Sequence, residues 1–138
     1  MGVNGSCNCG SVKFGINTEI SDVYICHCSI CRKSTGGGGI AVAVVSNENF
    51  SWIAGTSVIK TWVKPNHDWQ TSFCQNCGSP LPGKNDDSAT YVPVGLLDSG
   101  YQDLQVKHHL FVGSKADWER ISDEGVQHQA NFRNDNSA

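Results

Sequence analysis

The sequence predicts a mainly β protein built from short antiparallel strands. Three observations favour this class: apolar residues recur with a period of two, clusters of Gly, Asn, Asp and Pro separate the apolar stretches, and few segments have helical periodicity. A length of 138 residues suits one domain with a modest core. We expect that domain to span residues 1–128 and a polar, Asn-rich C-terminal tail to span residues 129–138.

Eight segments carry the strand signal. Val12, Phe14 and Ile16 alternate with polar or small residues and indicate the first strand, and Val23 and Ile25 indicate the second. The other predicted strands cover residues 40–45, 50–53, 58–63, 71–73, 90–94 and 105–112, with turn-forming residues between them. A short helix is predicted at residues 29–34, and a helical turn near residues 115–120, with Ser114 as its candidate N-cap.

Charge and apolar patterning limit the classes of partner. The chain has 10 Lys+Arg against 13 Asp+Glu, a formal net charge of -3, and no basic stripe, which argues against nucleic acid. The longest strongly apolar run, residues 40–45, is far shorter than the roughly 20 residues that a membrane-spanning helix needs. The first residues contain no apolar leader, so we expect a cytoplasmic protein with reduced thiols and no membrane partner.

Seven cysteines form three clusters, and an odd number cannot all pair in disulfides. The clusters are Cys7 and Cys9, then Cys26, Cys28 and Cys31, then Cys74 and Cys77. Each outer pair is followed by a glycine, Gly10 or Gly78, whose backbone can let N–H groups approach the sulfurs. We predict that the four outer thiolates hold one closed, tetrahedral, structural Zn²⁺ ion. The alternative is a set of buried or redox-active thiols.

The central cluster offers three thiolates, which leave one position of a tetrahedral shell for another ligand. An open position is typical of a catalytic zinc, so we predict a second Zn²⁺ ion on Cys26, Cys28 and Cys31. Its fourth ligand can be water, a substrate thiol or a histidine that the fold brings close. The candidate histidines are His67, His108, His109 and His128. A thiol redox centre without metal is a weaker alternative.

Other groups surround the central cluster in the sequence. His27 lies between two predicted ligands in extended chain, so its side chain is expected to point away from the metal. Arg32 and Lys33 follow the third ligand and can offset thiolate charge or bind a substrate carboxylate, although solvated surface charge is an equal alternative. The glycine run 36–39 either lets the backbone come close to a metal or ligand or forms a flexible turn before the next strand.

Together these motifs resemble the glutathione-dependent formaldehyde-activating enzyme family, whose domain also occurs in the centromere protein V group. The resemblance runs from about Gly5 to His128. It is carried by Gly5-Ser6-Cys7-Asn8-Cys9-Gly10, Cys26-His27-Cys28-Ser29-Ile30-Cys31-Arg32-Lys33, Phe73-Cys74-Gln75-Asn76-Cys77-Gly78-Ser79-Pro80-Leu81, Gly95-Leu96-Leu97-Asp98 and His109-Leu110-Phe111-Val112-Gly113-Ser114-Lys115.

The resemblance implies an Mss4-like β fold with one structural zinc and one zinc held by three cysteines. It also implies a carbon–sulfur lyase of the S-(hydroxymethyl)glutathione synthase type, which joins a small thiol such as glutathione to an aldehyde such as formaldehyde. The catalytic zinc would then lie on Cys26, Cys28 and Cys31. A non-catalytic, zinc-stabilised binding module of the same fold is the alternative, because a fold does not determine a function.

Overall fold

The computed structural model describes residues 2–131, and within them the chain is mainly β, as predicted. The strands are β1 (Val3–Ser6), β2 (Lys13–Ile16), β3 (Asp22–Cys26), β4 (Ile40–Ser46), β5 (Phe50–Ala54), β6 (Ile59–Val63), β7 (Gln70–Cys74), β8 (Pro80–Leu81), β9 (Gly83–Lys84), β10 (Ala89–Pro93), β11 (Leu97–Ser99), β12 (Gln105–Leu110) and β13 (Val126–Gln127). The α-helix is α1 (Ser29–Thr35), and short 3-10 turns cover Asn47–Asn49, Thr56–Val58, Val94–Leu96 and Val112–Ser114.

All eight predicted strands and the first predicted helix are confirmed, with ends that differ by at most two residues. The second predicted piece, near residues 115–120, forms a single turn, in which the N–H of Glu119 donates to the carbonyl of Ala116 at 3.1 Å, and it does not extend to a helix. Phe111 adopts a left-handed backbone (φ 56) and redirects the chain just before the segment. The Lys115 ammonium then donates to the carbonyl of Glu119 at 2.7 Å, so a side chain holds this stretch instead of a helical backbone ladder.

The described residues fall into two compact units, which we call unit 1 (2–20 and 43–102) and unit 2 (21–42 and 103–131). Unit 1 contains antiparallel sheets with the strand orders β11-β1-β2-β5 and β6-β7-β8, and a β9–β10 pair. Phe14 of β2 is fully buried there and stacks on Phe50, with ring centroids 5.6 Å apart. The alternation of buried and exposed residues along β2 is what the period of two predicts.

In unit 2 the strand order is β13-β12-β3, followed by residues 40–42 of β4. β3 pairs antiparallel with β4, as predicted, but β12 pairs parallel with both β3 and β13. A parallel pair needs a long connection, and nearly eighty residues separate the end of β3 from the start of β12. β3 ends at Cys26, and the chain continues through His27 and Cys28 into α1, so the central cysteine cluster lies at the end of this sheet.

Glycines of the run 36–39 allow two close approaches within unit 2. A Cβ on Gly39 would overlap the carbonyl oxygen of Cys26, and a Cβ on Gly38 would overlap the carboxylate of Glu119. By contrast, a Cβ on Gly37 would meet only Oγ1 of Thr35, at 3.6 Å. The groups that come close to Gly38 and Gly39 are therefore the chain's own backbone and side chains, and the predicted approach to a metal or ligand stays a prediction.

Gly39→Ala is therefore expected to destabilise the protein by about 1–3 kcal/mol, because backbone must shift to admit the methyl group. Gly37→Ala is the matched control and should change the free energy of unfolding by less than about 0.5 kcal/mol. Urea denaturation of both metal-loaded variants measures the difference. Equal effects of the two substitutions would contradict the crowding at Gly39.

The start of the predicted tail is hydrogen-bonded. The carbonyl of Gln129 accepts from the N–H of Gly113 at 3.3 Å, and that of Ala130 accepts from Phe111 at 3.0 Å. The rest of the predicted tail, residues 132–138, lies outside the described residues. Across residues 2–131, no helix combines the length and apolar character required to cross a membrane.

Candidate functional site

Two tight turns in unit 1 bring four cysteines together. Cys7 and Cys9 lie in the turn after β1, and Cys74 and Cys77 lie at the end of β7 and in the turn that follows. Backbone bonds from Gly10 to Cys7 (3.0 Å) and from Gly78 to Cys74 (2.7 Å) close the two turns. Both glycines have positive φ (80 and 78), as the sequence predicted, so only glycine fits there without strain. The four sulfur atoms lie within 4.8 Å of one another.

The spacing of these sulfurs fits a tetrahedral metal shell. Sγ of Cys9 lies 3.6 Å from Sγ of Cys7 and 3.8 Å from Sγ of Cys74, and all the thiols are free. Ligands about 2.3 Å from a common centre in a tetrahedron are about 3.8 Å apart, whereas a disulfide would bring two sulfurs to about 2 Å. Cys7 and Cys74 also pack with Val12 and Leu81 in a buried apolar cluster.

The thiols of this cluster differ in acidity. Hydrogen bonds from the side chain and backbone of Ser79 lower the pKa of Cys77 to about 5, and the hydroxyl of Ser11 lowers the pKa of Cys9. Burial raises the pKa of Cys74 to about 11. The four thiols would not all ionise together without a cation among them, and a coordinating metal deprotonates a thiol outright.

The central cluster lies in unit 2. Cys26 is the last residue of β3, Cys28 is the N-cap of α1, and Cys31 is buried one turn into the helix. The N–H of Cys31 donates to Sγ of Cys28 at 3.4 Å, so one of the thiols itself begins the helix. The three sulfurs lie within 4.8 Å of one another, and among residues 2–131 no His, Asp or Glu joins them at that distance.

The pKa values of the three thiols in the central cluster are shifted in opposite directions. Hydrogen bonds from Cys26 and then Cys31 strongly lower the pKa of the Cys28 thiol. The hydrogen bond to Cys28 raises the pKa of Cys26 to about 11, and bonds to Cys26 and Cys28 together with burial raise the pKa of Cys31. Such a set of three thiols can ionise fully only around a cation.

The predicted candidates for a fourth ligand have other partners. His109 is bonded to Asp123 and His27, with 2.9 Å between Nε2 and the Asp123 carboxylate. His108 lies 3.0 Å from His128, ring nitrogen to ring nitrogen. In unit 1, His67 accepts a hydrogen bond from the backbone N–H of Trp69 at 3.0 Å.

The residues next to the central cluster in the sequence differ in burial and in hydrogen bonding. The ring of His27 is fully buried, and both its nitrogens lie within hydrogen-bonding distance of other residues, Glu119 and His109. Arg32 is partly buried, and its Nε has no hydrogen-bond partner among the described residues, whereas Lys33 is exposed.

Sequence reasoning missed Glu119 as a partner of His27 and Asp123 as a partner of His109. No local sequence pattern links the members of either pair.

Comparisons with known proteins agree with this geometry. Residues 2–114 match the protein family described as "Glutathione-dependent formaldehyde-activating enzyme". A Halomonas elongata protein described as "Putative glutathione-dependent formaldehyde-activating enzyme" is 30% identical over 132 residues, which cover 88% of this chain and 82% of that protein. A crystal structure of a Rhodobacter sphaeroides protein has a similar fold, with a TM-score of 0.58 at 20% identity over 70% of this chain and 89% of that one. Because the family match covers residues 2–114 and this relative is 30% identical, the chain belongs to the glutathione-dependent formaldehyde-activating enzyme family.

Proposed function

We propose that this protein is a zinc-dependent enzyme that adds a small thiol, glutathione or a similar compound, to an aldehyde such as formaldehyde. In this reaction the thiol sulfur forms a bond to the aldehyde carbon, the carbonyl becomes a hydroxyl, and the thiol proton ends on that oxygen. The reverse reaction breaks a carbon–sulfur bond, so the activity is that of a carbon–sulfur lyase of the S-(hydroxymethyl)glutathione synthase type. The atoms balance without an oxidant or a further substrate.

The observation that carries the proposal is the three-thiol cluster of Cys26, Cys28 and Cys31, to which residues 2–131 add no fourth protein ligand. Soft thiolates suit Zn²⁺, and three of them leave one position of a tetrahedral shell for a ligand from outside the protein. A non-catalytic binding module would be expected to close that shell with a histidine or another protein ligand, so the cluster favours an enzyme.

The donor sets favour different roles for the two clusters. Cys7, Cys9, Cys74 and Cys77 would hold a structural Zn²⁺ ion, because four thiolates complete its shell. Cys26, Cys28 and Cys31 would hold the second. Bound there, Zn²⁺ would lower the pKa of an incoming thiol, so that the nucleophilic thiolate is available near neutral pH.

Residues of unit 2 would prepare the site for this chemistry. Cys28 caps α1 through its sulfur, so the position of this proposed metal ligand is tied to the helix that carries Cys31. Arg32 follows Cys31 directly, and its guanidinium Nε finds no hydrogen-bond partner within residues 2–131, which makes it the better candidate of the two basic residues to bind a carboxylate of the thiol substrate. Lys33 is exposed and remains the weaker candidate.

The proposed function is tested by the rate of S-hydroxymethyl thiol formation from formaldehyde, followed by NMR with the zinc-loaded protein. Glutathione, cysteine and neutral 2-mercaptoethanol are compared against the uncatalysed addition of each. We expect acceleration, and a preference for the thiols that carry carboxylates if Arg32 binds them. If the protein carries two zinc ions and accelerates none of the thiols, the proposed enzyme activity is wrong.

A further inference from the structure

Four side chains of unit 2 form one continuous hydrogen-bonded chain, which we call the histidine chain: Glu119, His27, His109 and Asp123. Oε1 of Glu119 lies 3.2 Å from Nδ1 of His27, and Nε2 of His27 lies 2.8 Å from Nδ1 of His109. Nε2 of His109 lies 2.9 and 3.1 Å from the two carboxylate oxygens of Asp123. Every ring nitrogen of both histidines is used within this chain.

The middle of the histidine chain is buried and its ends are more exposed. The residues His27 and His109 are 0% and 2% exposed, and their rings stack with centroids 5.1 Å apart. The side chains of Glu119 and Asp123 are 25% and 42% exposed. Buried imidazole nitrogens must be hydrogen-bonded, so the two rings depend on each other and on the two carboxylates.

Both acidic residues make a further hydrogen bond, Glu119 through its backbone and Asp123 through its carboxylate. The ammonium of Lys115 donates to the backbone carbonyl of Glu119 at 2.7 Å, and the N–H of Gly125 donates to the carboxylate of Asp123 at 2.8 Å. Gly38 leaves room for the carboxylate of Glu119, since a Cβ there would overlap it. Both ends of the histidine chain are therefore bonded to neighbouring residues. A carboxylate that moved freely at the surface would not need the space that Gly38 leaves.

His27 connects the histidine chain to the central cysteine cluster. His27 separates Cys26 from Cys28, and its backbone N–H donates to the carbonyl of Leu110 at 2.9 Å. In extended chain the side chains on either side of a residue point away from its own. Anchoring the ring and the backbone N–H of His27 therefore fixes the chain between two thiols without occupying the space between them.

We propose that Glu119, His109 and Asp123 are positioning residues that, through His27, hold Cys26 and Cys28 at the spacing that binds the metal. This inference rests on the proposed metal site at Cys26, Cys28 and Cys31. Holding ligands in place before the metal arrives reduces the ordering that binding requires, and loss of such outer partners commonly weakens metal binding 10–100-fold.

The test is the metal affinity of the two cysteine clusters in the full-length His109→Leu variant. Zn²⁺ affinities are measured by competition with a chelator, and Co²⁺ replaces Zn²⁺ to report sulfur coordination through its thiolate charge-transfer absorption. We expect the central cluster to bind Zn²⁺ about 10–100-fold more weakly and its Co²⁺ spectrum to change. The four-cysteine cluster lies outside the histidine chain, so its affinity should be unchanged and serves as an internal reference.

Three further variants separate positioning from general damage. His108→Leu is the matched control, because its ring contacts His128 and lies outside the histidine chain. His109→Asn keeps a polar atom near the position of Nδ1 and should recover part of the affinity. Asp123→Ala removes the more exposed end of the chain and should weaken the central cluster even if His109→Leu does not fold.

The results distinguish this inference from the proposed function. If the wild type binds one equivalent of Zn²⁺ instead of two, the proposed metal site is wrong, and the inference that rests on it is wrong as well. If the wild type binds two, the inference is overturned when His109→Leu and Asp123→Ala leave the central affinity within about twofold of wild type. Equal weakening of both clusters, or equal weakening by His108→Leu, also overturns it.

Discussion

Cys28→Ser is expected to remove one of two bound zinc ions and to slow thiol addition to formaldehyde more than about 100-fold. Loss of an outer partner of a metal site already costs roughly 10–100-fold, and Cys28 is proposed to bind the metal directly. Serine is the informative replacement, because its hydroxyl can still accept the hydrogen bond from the N–H of Cys31 and cap α1. The variant thus removes a thiolate while the helix start is kept.

Metal content by elemental analysis and the NMR rate assay measure the two effects of Cys28→Ser. Ser29→Ala is the matched control, since Ser29 is exposed at the first position of the same helix and should retain both zinc ions and the full rate. A Cys28→Ser protein that keeps two zinc ions and the wild-type rate would remove the central cluster from the mechanism.

Cys74→Ser is expected to prevent unit 1 from folding stably. Cys74 is fully buried in the apolar cluster beside Cys7, and serine differs little from it in size, so the main loss is the metal. Structural zinc contributes an apparent binding free energy of about 10–16 kcal/mol in zinc-finger peptides, which is comparable to the whole stability of a typical domain, about 5–15 kcal/mol.

Hydrogen exchange measured on the full chain locates the effect of Cys74→Ser. Amides of β1, β2 and β7 should lose their protection, and treating the wild type with a strong zinc chelator should produce the same pattern. Gln75→Ala, at an exposed position of the same turn, should leave both zinc content and protection unchanged. Retained protection in a Cys74→Ser protein without zinc at this cluster would show that the metal is not structural.

Local patterns in the sequence were enough to predict the strands and the grouping of the cysteines. The period of two in β2 reflects one buried face. The two-thiol turns followed by Gly10 or Gly78 have a geometry that depends on a few neighbouring residues. The start of α1 was predictable as well, because it depends on a neighbouring residue, the N-cap Cys28.

Long-range pairing was not predictable from such patterns. The parallel pairing of β12 with β3, and the bonds from Glu119 and His109 to His27, join segments more than eighty residues apart. His109 was considered only as a metal ligand, because a sequence does not show which buried partner a histidine will find.

Zinc X-ray absorption of the wild type, with and without added glutathione, tests the central claim most directly: that the central cluster holds a zinc ion that accepts a substrate thiol. Four sulfurs at one site and three at the other predict an average of about 3.5 sulfur neighbours per zinc, which rises to about 4 when the thiol binds. An average of about 4 before any thiol is added, or one that no thiol changes, would contradict the account.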